Sequence, residues 1–275
     1  MPRITSRTHT MVRAFRRAAR QPDGFSLLAD GVHLVREADR AGLGLLVAVT
    51  DRHYGSDSEA GALARALEAR DVEVWVVSEP VMAAMSPVKT PSGIVAMVAR
   101  DNPFPLDVLD DPGALIVAAV HVQDPGNVGA IVRASEALGA TAAWACGASA
   151  NPFGWKALRG SMGSAFRLPV GYGEPAAEVL RLAREHRLRT VAAVPRGGRA
   201  PAEVDWTAPT LCFVGGEGAG LPDDVSVAAG ERVTIPLRPP VESLNVAVAA
   251  ALLLDEAGRQ RKGSSTISRS ARNGA

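Results

Sequence analysis

Seven consecutive apolar residues, Ala114–Val120, constrain this chain more than any other feature. A strand without a polar position has no face to offer water, so it must be covered on both sides. Shorter runs of the same kind follow at Thr141–Cys146, Thr190–Val194, Thr210–Val214 and Val233–Leu237. Between them lie segments with helical spacing, at 127–138 and at 175–186, where Val179, Leu180 and Ala183 share one face. A last helix runs from about Leu244 to Arg259. Strands alternating with helices predict an α/β fold, a parallel sheet with helices on both faces.

The first hundred residues show a smaller version of the pattern. The spacing of Leu27, Leu28, Val32, Leu34, Val35 and Ala38 predicts a helix over 23–41, capped by Asp23. A strand follows at Leu45–Thr50, then a helix opened by Asp57 or Ser58 and closing at Arg70, then strands at Val72–Ser78 and Ile94–Ala99. Residues 101–112 hold three prolines and four aspartates, which reads as a linker. The expected organisation is therefore a domain over 1–100, a linker over 101–112, a second domain over 113–262 and a disordered basic tail over 263–275.

An apolar fraction of 47% and a charged fraction of 21% exclude wholesale disorder, collagen and coiled coil. No uncharged apolar stretch reaches the ~18 residues that a membrane span needs. Cys146 and Cys212 lack CxxC partners, and the five histidines form no HExxH pattern, so no metal site is expected. The net charge of +1 conceals an asymmetry. Residues 1–20 carry six arginines and no acid, and 259–275 carry five basic residues and no acid, leaving 19 basic against 29 acidic residues between them. Such basic ends are either solvated tails or arms that touch a polyanion. An arginine-rich, acid-free start also describes a transit peptide, but with neither a signal core nor a span the expected location is the cytoplasm.

The last helix is apolar on every side from Val246 to Leu254, whereas a surface helix carries a polar stripe. Its own domain or a partner subunit must cover it, and a dimer interface is the favoured reading.

Three segments at strand ends carry the candidate chemistry. The first, Asp124-Pro-Gly-Asn-Val-Gly-Ala-Ile-Val-Arg133, opens a helix with Asn127 as a natural N-cap. Asn127 and Arg133 stand about 240° apart around that helix, so spacing alone does not bring them together. The second, Phe213-Val-Gly-Gly-Glu-Gly-Ala-Gly-Leu-Pro222, fits neither GxGxxG nor the P-loop pattern. It offers exposed amides around one carboxylate, Glu217. The third, Ile235-Pro-Leu-Arg-Pro-Pro-Val-Glu-Ser-Leu-Asn-Val246, leads into the apolar helix, which Ser243 or Asn245 can cap. The helix's positive end then faces the crevice at the strand ends.

The order of these segments resembles that of the SpoU (TrmH-like) family of RNA ribose 2′-O-methyltransferases, within the SPOUT superfamily. The first matches the family's Asn…Arg motif. The second matches its Gly-x-Glu-x-x-Gly-Leu motif, and the third its Ile-Pro…Ser-Leu-Asn-Val motif. Arg159-Gly-Ser-Met-Gly-Ser-Ala-Phe-Arg-Leu-Pro169 is similar to the segment between the first two. The resemblance covers about 114–261. Phe25–Ala38 and Pro91–Ala96 resemble the small ribosomal-protein-like RNA-binding domain that many members carry. Asp30-Gly31 and Leu237-Arg238-Pro239-Pro240 depart from the family's usual Glu-Gly and Met-x-Gly elements.

The resemblance implies a SPOUT-type parallel sheet with a deep trefoil knot, a small N-terminal α/β RNA-binding domain, S-adenosylmethionine as cofactor, and a homodimer built through the C-terminal domain. It implies methyl transfer to a ribose 2′-hydroxyl of structured RNA, with 23S ribosomal RNA ahead of tRNA because minimal tRNA-acting relatives often lack the extra domain. Arg133 is the implied central catalytic residue, with Asn127 orienting it or the ribose. Glu217 would position its loop or an arginine, and Ser243 and Asn245 would fix the third turn and contact substrate. Val214, Gly215, Gly216, Glu217, Gly218, Ile235, Leu237, Ser243 and Leu244 would hold the cofactor. RNA contacts would begin with Arg13, Arg16, Arg17 and Arg20 in the N-terminal arm and continue with Lys156, Arg159 and Arg167 at the catalytic mouth. Phe153 and Trp155 would stack on a base or simply pack. A non-catalytic RNA-binding or assembly protein is the alternative on the same surfaces, and a nucleotide-dependent oxidoreductase is suggested by the alternation alone.

Overall fold

Along the first hundred residues the chain forms β1 (Arg3–Ile4), α1 (Thr10–Arg20), β2 (Ser26–Asp30), α2 (Val32–Arg40), β3 (Gly44–Thr50), α3 (Asp51–Tyr54), α4 (Glu59–Glu68), β4 (Glu73–Val77), α5 (Glu79–Met85) and β5 (Ile94–Ala99). The computed structural model describes residues 2–22, 24–100, 104–218 and 220–272, with side chains to residue 263. It divides into two units, one of residues 1–103 with 153–167 and one of 104–152 with 168–275.

The first unit is a mixed sheet ordered β1-β4-β3-β5-β2, in which β5 runs antiparallel to both neighbours. Two expectations fail here. Residues 10–20 are an amphipathic helix and not an arm: Val12 and Phe15 are fully buried in a core with Val81 and Met82. The arginine density hides this apolar face in the sequence. In place of the single helix expected over 23–41, a strand over Ser26–Asp30 and a helix over Val32–Arg40 form. β2 pairs along β5 from Ser26 opposite Ala99 to Asp30 opposite Val95, and Gly31 at φ 98° breaks the path before α2. The expected cap Asp23 lies outside the described residues. Ser58 does cap α4, its Oγ accepting from the Gly61 amide at 3.2 Å.

The second unit comprises β6 (Leu115–Val120), α6 (Pro125–Ala137), β7 (Ala142–Cys146), β8 (Val170–Tyr172), α8 (Ala176–Glu185), β9 (Arg189–Ala193), β10 (Thr210–Gly215), α9 (Asp223–Ala228), β11 (Glu231–Val233) and α10 (Val246–Arg272), while α7 (Trp155–Ser161) belongs to the first unit. Its six strands are ordered β11-β9-β10-β6-β7-β8 and every pair is parallel. All six β6 residues are buried. Leu115, Val117 and Ala119 pack with α6 and α10 on one face, and Ile116, Ala118 and Val120 with α8 and α9 on the other. The apolar run is thus covered on both sides, as its composition requires.

Residues 101–103 lie outside the described chain. From Phe104 onward the expected linker is part of the second unit: a short 3-10 turn over Leu106–Asp110 buries Leu109 in its core. The expected strand Val233–Leu237 ends at Val233. Beyond it the Thr234 amide donates to the Arg199 carbonyl at 2.9 Å, and the Thr234 Oγ1 donates to the Val194 carbonyl at 3.0 Å and accepts from Gly198 N at 2.9 Å. Pro236, Pro239 and Pro240 then supply no amide to a ladder. The last helix is longer than its periodicity indicates, its backbone continuing to Arg272 through residues assigned to the tail. Arg261 fastens it by donating to the carbonyls of Gly113, Ala114, Trp206 and Ala208. Within this chain the helix is buried on one side only. Ala250, Leu253 and Leu254 face the core, whereas Val248 is 49% and Leu252 46% exposed. No helix among the described residues is long and apolar enough to cross a membrane.

Candidate active site

The three motif segments meet at the carboxyl ends of β6 and β10, where the parallel sheet presents its loops. The first segment enters α6 through Asp124, not Asn127. The Asp124 Oδ1 accepts from the Asn127 amide at 2.8 Å, and Pro125 occupies the first helical position. Asn127 is therefore inside the first turn, and its own side chain is available elsewhere.

It bonds across 90 residues of sequence. The Asn127 Nδ2 donates to the Glu217 carboxylate at 2.6 Å, and the Asn127 Oδ1 accepts from the Asn245 Nδ2 at 3.0 Å. The same Asn245 amide lies 3.5 Å from Glu217. The Asn245 Oδ1 caps α10, accepting from Ala247 N at 2.9 Å and Val248 N at 3.3 Å. Each amide thus uses its nitrogen as donor and its oxygen as acceptor, and one residue from each motif enters the clasp. Asn245, not Ser243, is the helix cap. Glu217 holds two asparagine amides and no arginine.

The loop of Glu217 is shaped by glycine. A Cβ on Gly215 would lie 2.2 Å from the Gly220 backbone, and one on Gly216 would lie 2.2 Å from the His121 carbonyl oxygen. The turn closes through the Gly220 amide, which donates to Gly216 O at 3.1 Å. Gly218 at φ 90° and Gly220 at φ 68° adopt the left-handed conformation, and a Cβ at either would meet nothing within 4 Å. The loop is therefore tight against β6 and open on its other side. Val214 is buried beneath it. In the third segment Ile235, Leu237 and Leu244 are half-buried, and Ile235 packs on the core cluster beneath α10.

Arg133 and Ser243 stand apart from the clasp. Both are exposed, and neither has a hydrogen-bond or ionic partner among the described residues. Asn127 does not orient Arg133 in this structure. A guanidinium with five unused donors keeps its charge and its capacity for a phosphate or an anionic oxygen. No thiol can serve as nucleophile. Cys146 and Cys212 are buried, and burial pushes both upward, Cys212 to about 12. No three His, Cys, Asp or Glu side chains gather in a metal-binding cluster among the described residues.

Two residues near the loop escape a reading of the sequence. Asp124 takes the cap because it precedes a proline at the first helical position, a signal that the glycines beside it obscure. His121, at φ 56°, ends β6 with its Nδ1 accepting from the Ala148 amide at 3.1 Å and its carbonyl against Gly216. Backbone conformation sets that role, and no residue type signals it.

The expected RNA-contacting residues lie in the first unit. Arg13, Arg17 and Arg20 are exposed along one face of α1, while the Arg16 Nε donates to the Ala84 carbonyl at 2.7 Å. Lys156 sits 5.6 Å over the Trp155 ring. Arg167 pairs with Glu37 at 2.6 Å. Arg159 is exposed without a bonded partner among the described residues. Phe153 is buried under the Arg100 guanidinium at 4.6 Å, so its ring packs and is not a free stacking surface.

Comparison with known proteins matches residues 114–255 to the SpoU rRNA Methylase family. An uncharacterized tRNA/rRNA methyltransferase of Synechocystis is 32% identical over 271 residues, spanning 96% of both chains. A crystal structure of an RNA 2′-O ribose methyltransferase superposes with a TM-score of 0.76 at 31% identity, over 94% of this chain and 99% of that one. The SpoU methyltransferase AviRb from Streptomyces viridochromogenes, solved with AdoMet, superposes with a TM-score of 0.80 at 26% identity, over 92% and 98%.

Proposed function

This chain belongs to the SpoU rRNA methylase family, and from that premise we propose that it transfers a methyl group from S-adenosylmethionine to a ribose 2′-hydroxyl of structured RNA, with 23S ribosomal RNA ahead of tRNA. The observation that carries this reading is the clasp of Asn127, Glu217 and Asn245, which joins one residue of each motif into a single preformed site. AdoMet in AviRb and the ribose specificity named for the other relative point the same way.

The residues present fit the cofactor. The open face at Gly218 and Gly220, where a Cβ would meet nothing within 4 Å, leaves room that side chains would otherwise fill. Ile235, Leu237 and Leu244 supply apolar faces for the adenosine, with Ser243 beside them. Bound there, S-adenosylmethionine supplies a methyl group on a sulfonium, so the site needs neither metal nor phosphate cradle. Everything else falls to the chain. A ribose hydroxyl is a weak nucleophile at neutral pH, so the site must align it and stabilise charge on its oxygen. Arg133 holds the adjacent RNA phosphate and stabilises the developing oxyanion. A guanidinium does not readily give up a proton and so does not act as base; the 2′-proton passes to the phosphate or to water. The clasp residues keep the loops in place and do not touch the reacting atoms.

On the same reading, the chain between β11 and α10 forms part of a trefoil knot, and the exposed Val248 and Leu252 of α10 face a second copy of this chain. Bulk RNA incubated with methyl-labelled S-adenosylmethionine should gain label. RNA that stays unlabelled, with no calorimetric signal for S-adenosylmethionine, refutes the reading; binding of NAD instead would favour an oxidoreductase.

A further inference from the structure

A cleft of about 290 Å³ opens in the first unit, close to the ~300 Å³ at the small end of ligand sites. Asp30, the β2–α2 turn, Thr90 and Ser92 line it, with Arg159 and Met162 contributed by the 153–167 segment. It shares no residue with the methyl-transfer motifs.

The cleft is built, not incidental. Asp30 is 9% exposed, and its Oδ2 accepts from the Ser86 hydroxyl at 2.5 Å. Ser86 in turn accepts from the Val88 amide at 3.2 Å, which fixes the start of the 86–93 loop. The Gly31 amide donates to the Ile94 carbonyl at 3.0 Å, tying the end of that loop to the β2–α2 turn. The far wall is tied by His33, whose Nε2 lies 3.3 Å from the Met162 carbonyl.

Most of its polar side-chain atoms are unbonded. Arg159 lies within electrostatic reach of Asp30 yet makes no hydrogen bond or ion pair among the described residues. Asp30 Oδ1 and the hydroxyls of Thr90 and Ser92 have no partner among the described residues either. The first turn of α2 has no side-chain cap, so its amides carry partial positive charge at the cleft. Burial pushes the Asp30 carboxyl up, countered by Ser86 and by the charge of Arg159.

A carboxylate at the floor selects a group with adjacent N–H donors, and a guanidinium beside a helix N-terminus selects a phosphate. One molecule of this size carries both: a guanosine nucleotide, whose Watson–Crick edge alone among the four bases offers two adjacent donors, N1–H and the N2 amino group. Base edges are open to such reading only in unpaired RNA. The exposed arginines of α1 in the same unit add a phosphate-binding face. We propose that this cleft captures one unpaired guanosine of the RNA substrate, with its base on Asp30 and its phosphate on Arg159 and the first turn of α2. The proposal rests on RNA being the substrate and supplies a specificity element outside the methyl-transfer site.

The test uses the full chain and a short single-stranded RNA with one guanosine, alongside the same RNA with inosine, which lacks only the N2 amino group. The parent protein should bind the guanosine RNA about tenfold more tightly. Arg159→Ala should weaken binding about tenfold and lower the slope of log affinity against log salt by about 1. Ser92→Trp, which fills the cleft from a loop position, should remove the guanosine–inosine difference. Equal binding of both RNAs by the parent, or no change in Arg159→Ala, overturns the proposal. S-adenosylmethionine titrated into the same proteins separates this result from the methyltransferase reading: that reading fails if the parent binds none, whereas the guanosine–inosine comparison still decides the cleft.

Discussion

At the ends of β6 and β10 the polar side chains are occupied with one another; in the cleft beside Asp30 most of them are not. Asn127 and Asn245 use both ends of their side-chain amides within the clasp and the helix cap, and Glu217 gives one carboxylate oxygen to it. Arg159, Thr90 and Ser92 have all of theirs available. The difference separates two kinds of work. Mutually bonded groups hold backbone in a shape that a ligand then reads, and unbonded groups receive the ligand themselves. Arg133 and Ser243, although they belong to the motifs, are exposed and unbonded like Arg159 in the cleft, and the proposed function gives them the ligand.

Substitutions can break this division, and the largest effect is expected at Arg133. Arg133→Ala should lower the single-turnover transfer rate by about 10²–10³-fold, the usual cost of one charge-stabilising donor. Its affinity for S-adenosylmethionine, read by calorimetry, should stay within about twofold, because an unbonded side chain shapes no loop. Next in size is the basic face of α1. Replacing Arg13, Arg17 and Arg20 together with Ala should weaken RNA binding at low salt by more than about tenfold. The salt slope should fall by about 1 for each phosphate no longer neutralised. The apolar face of that helix is untouched, so the protein's melting temperature should hold.

Glu217 reports on the clasp. Glu217→Ala removes the acceptor for two amides and should weaken S-adenosylmethionine binding by about tenfold, in line with the ~1–3 kcal/mol cost of an abandoned polar partner. Glu217→Gln keeps an acceptor oxygen and should retain affinity within about threefold. Equal damage from both would mean that the charge matters and not the clasp. The smallest effect is expected at Asn245. Asn245→Ala loses a helix cap worth about 1 kcal/mol, so thermal unfolding should shift by only about 2–4 °C in a chain of this size.

The parallel sheet is legible in the sequence because burial on both faces leaves an unmistakable composition in Ala114–Val120. The motif residues are legible as types and spacings. Their mutual bonding is not, since Glu217 and Asn245 meet Asn127 from 90 and 118 positions away. Where two signals overlap, the louder one misleads. Six arginines in the first twenty residues obscure the Val12–Phe15 face of α1. Leu27 and Leu28 fit a helical period with Leu34 and Val35 although Gly31 separates strand from helix. The membership of 153–167 in the first unit leaves no local trace, because it is decided by tertiary packing and not by neighbours in sequence. The cleft is hidden for the same reason, with Asp30 and Arg159 lying 129 positions apart.

The position of the transferred methyl group decides whether Arg133 serves a ribose hydroxyl. RNA labelled by the parent enzyme is digested to nucleosides and the label located by mass spectrometry. Label is expected on the ribose 2′-oxygen at a defined nucleotide, and absent from RNA treated with Arg133→Ala. Label on a base, or ribose label that persists undiminished with Arg133→Ala, would contradict it.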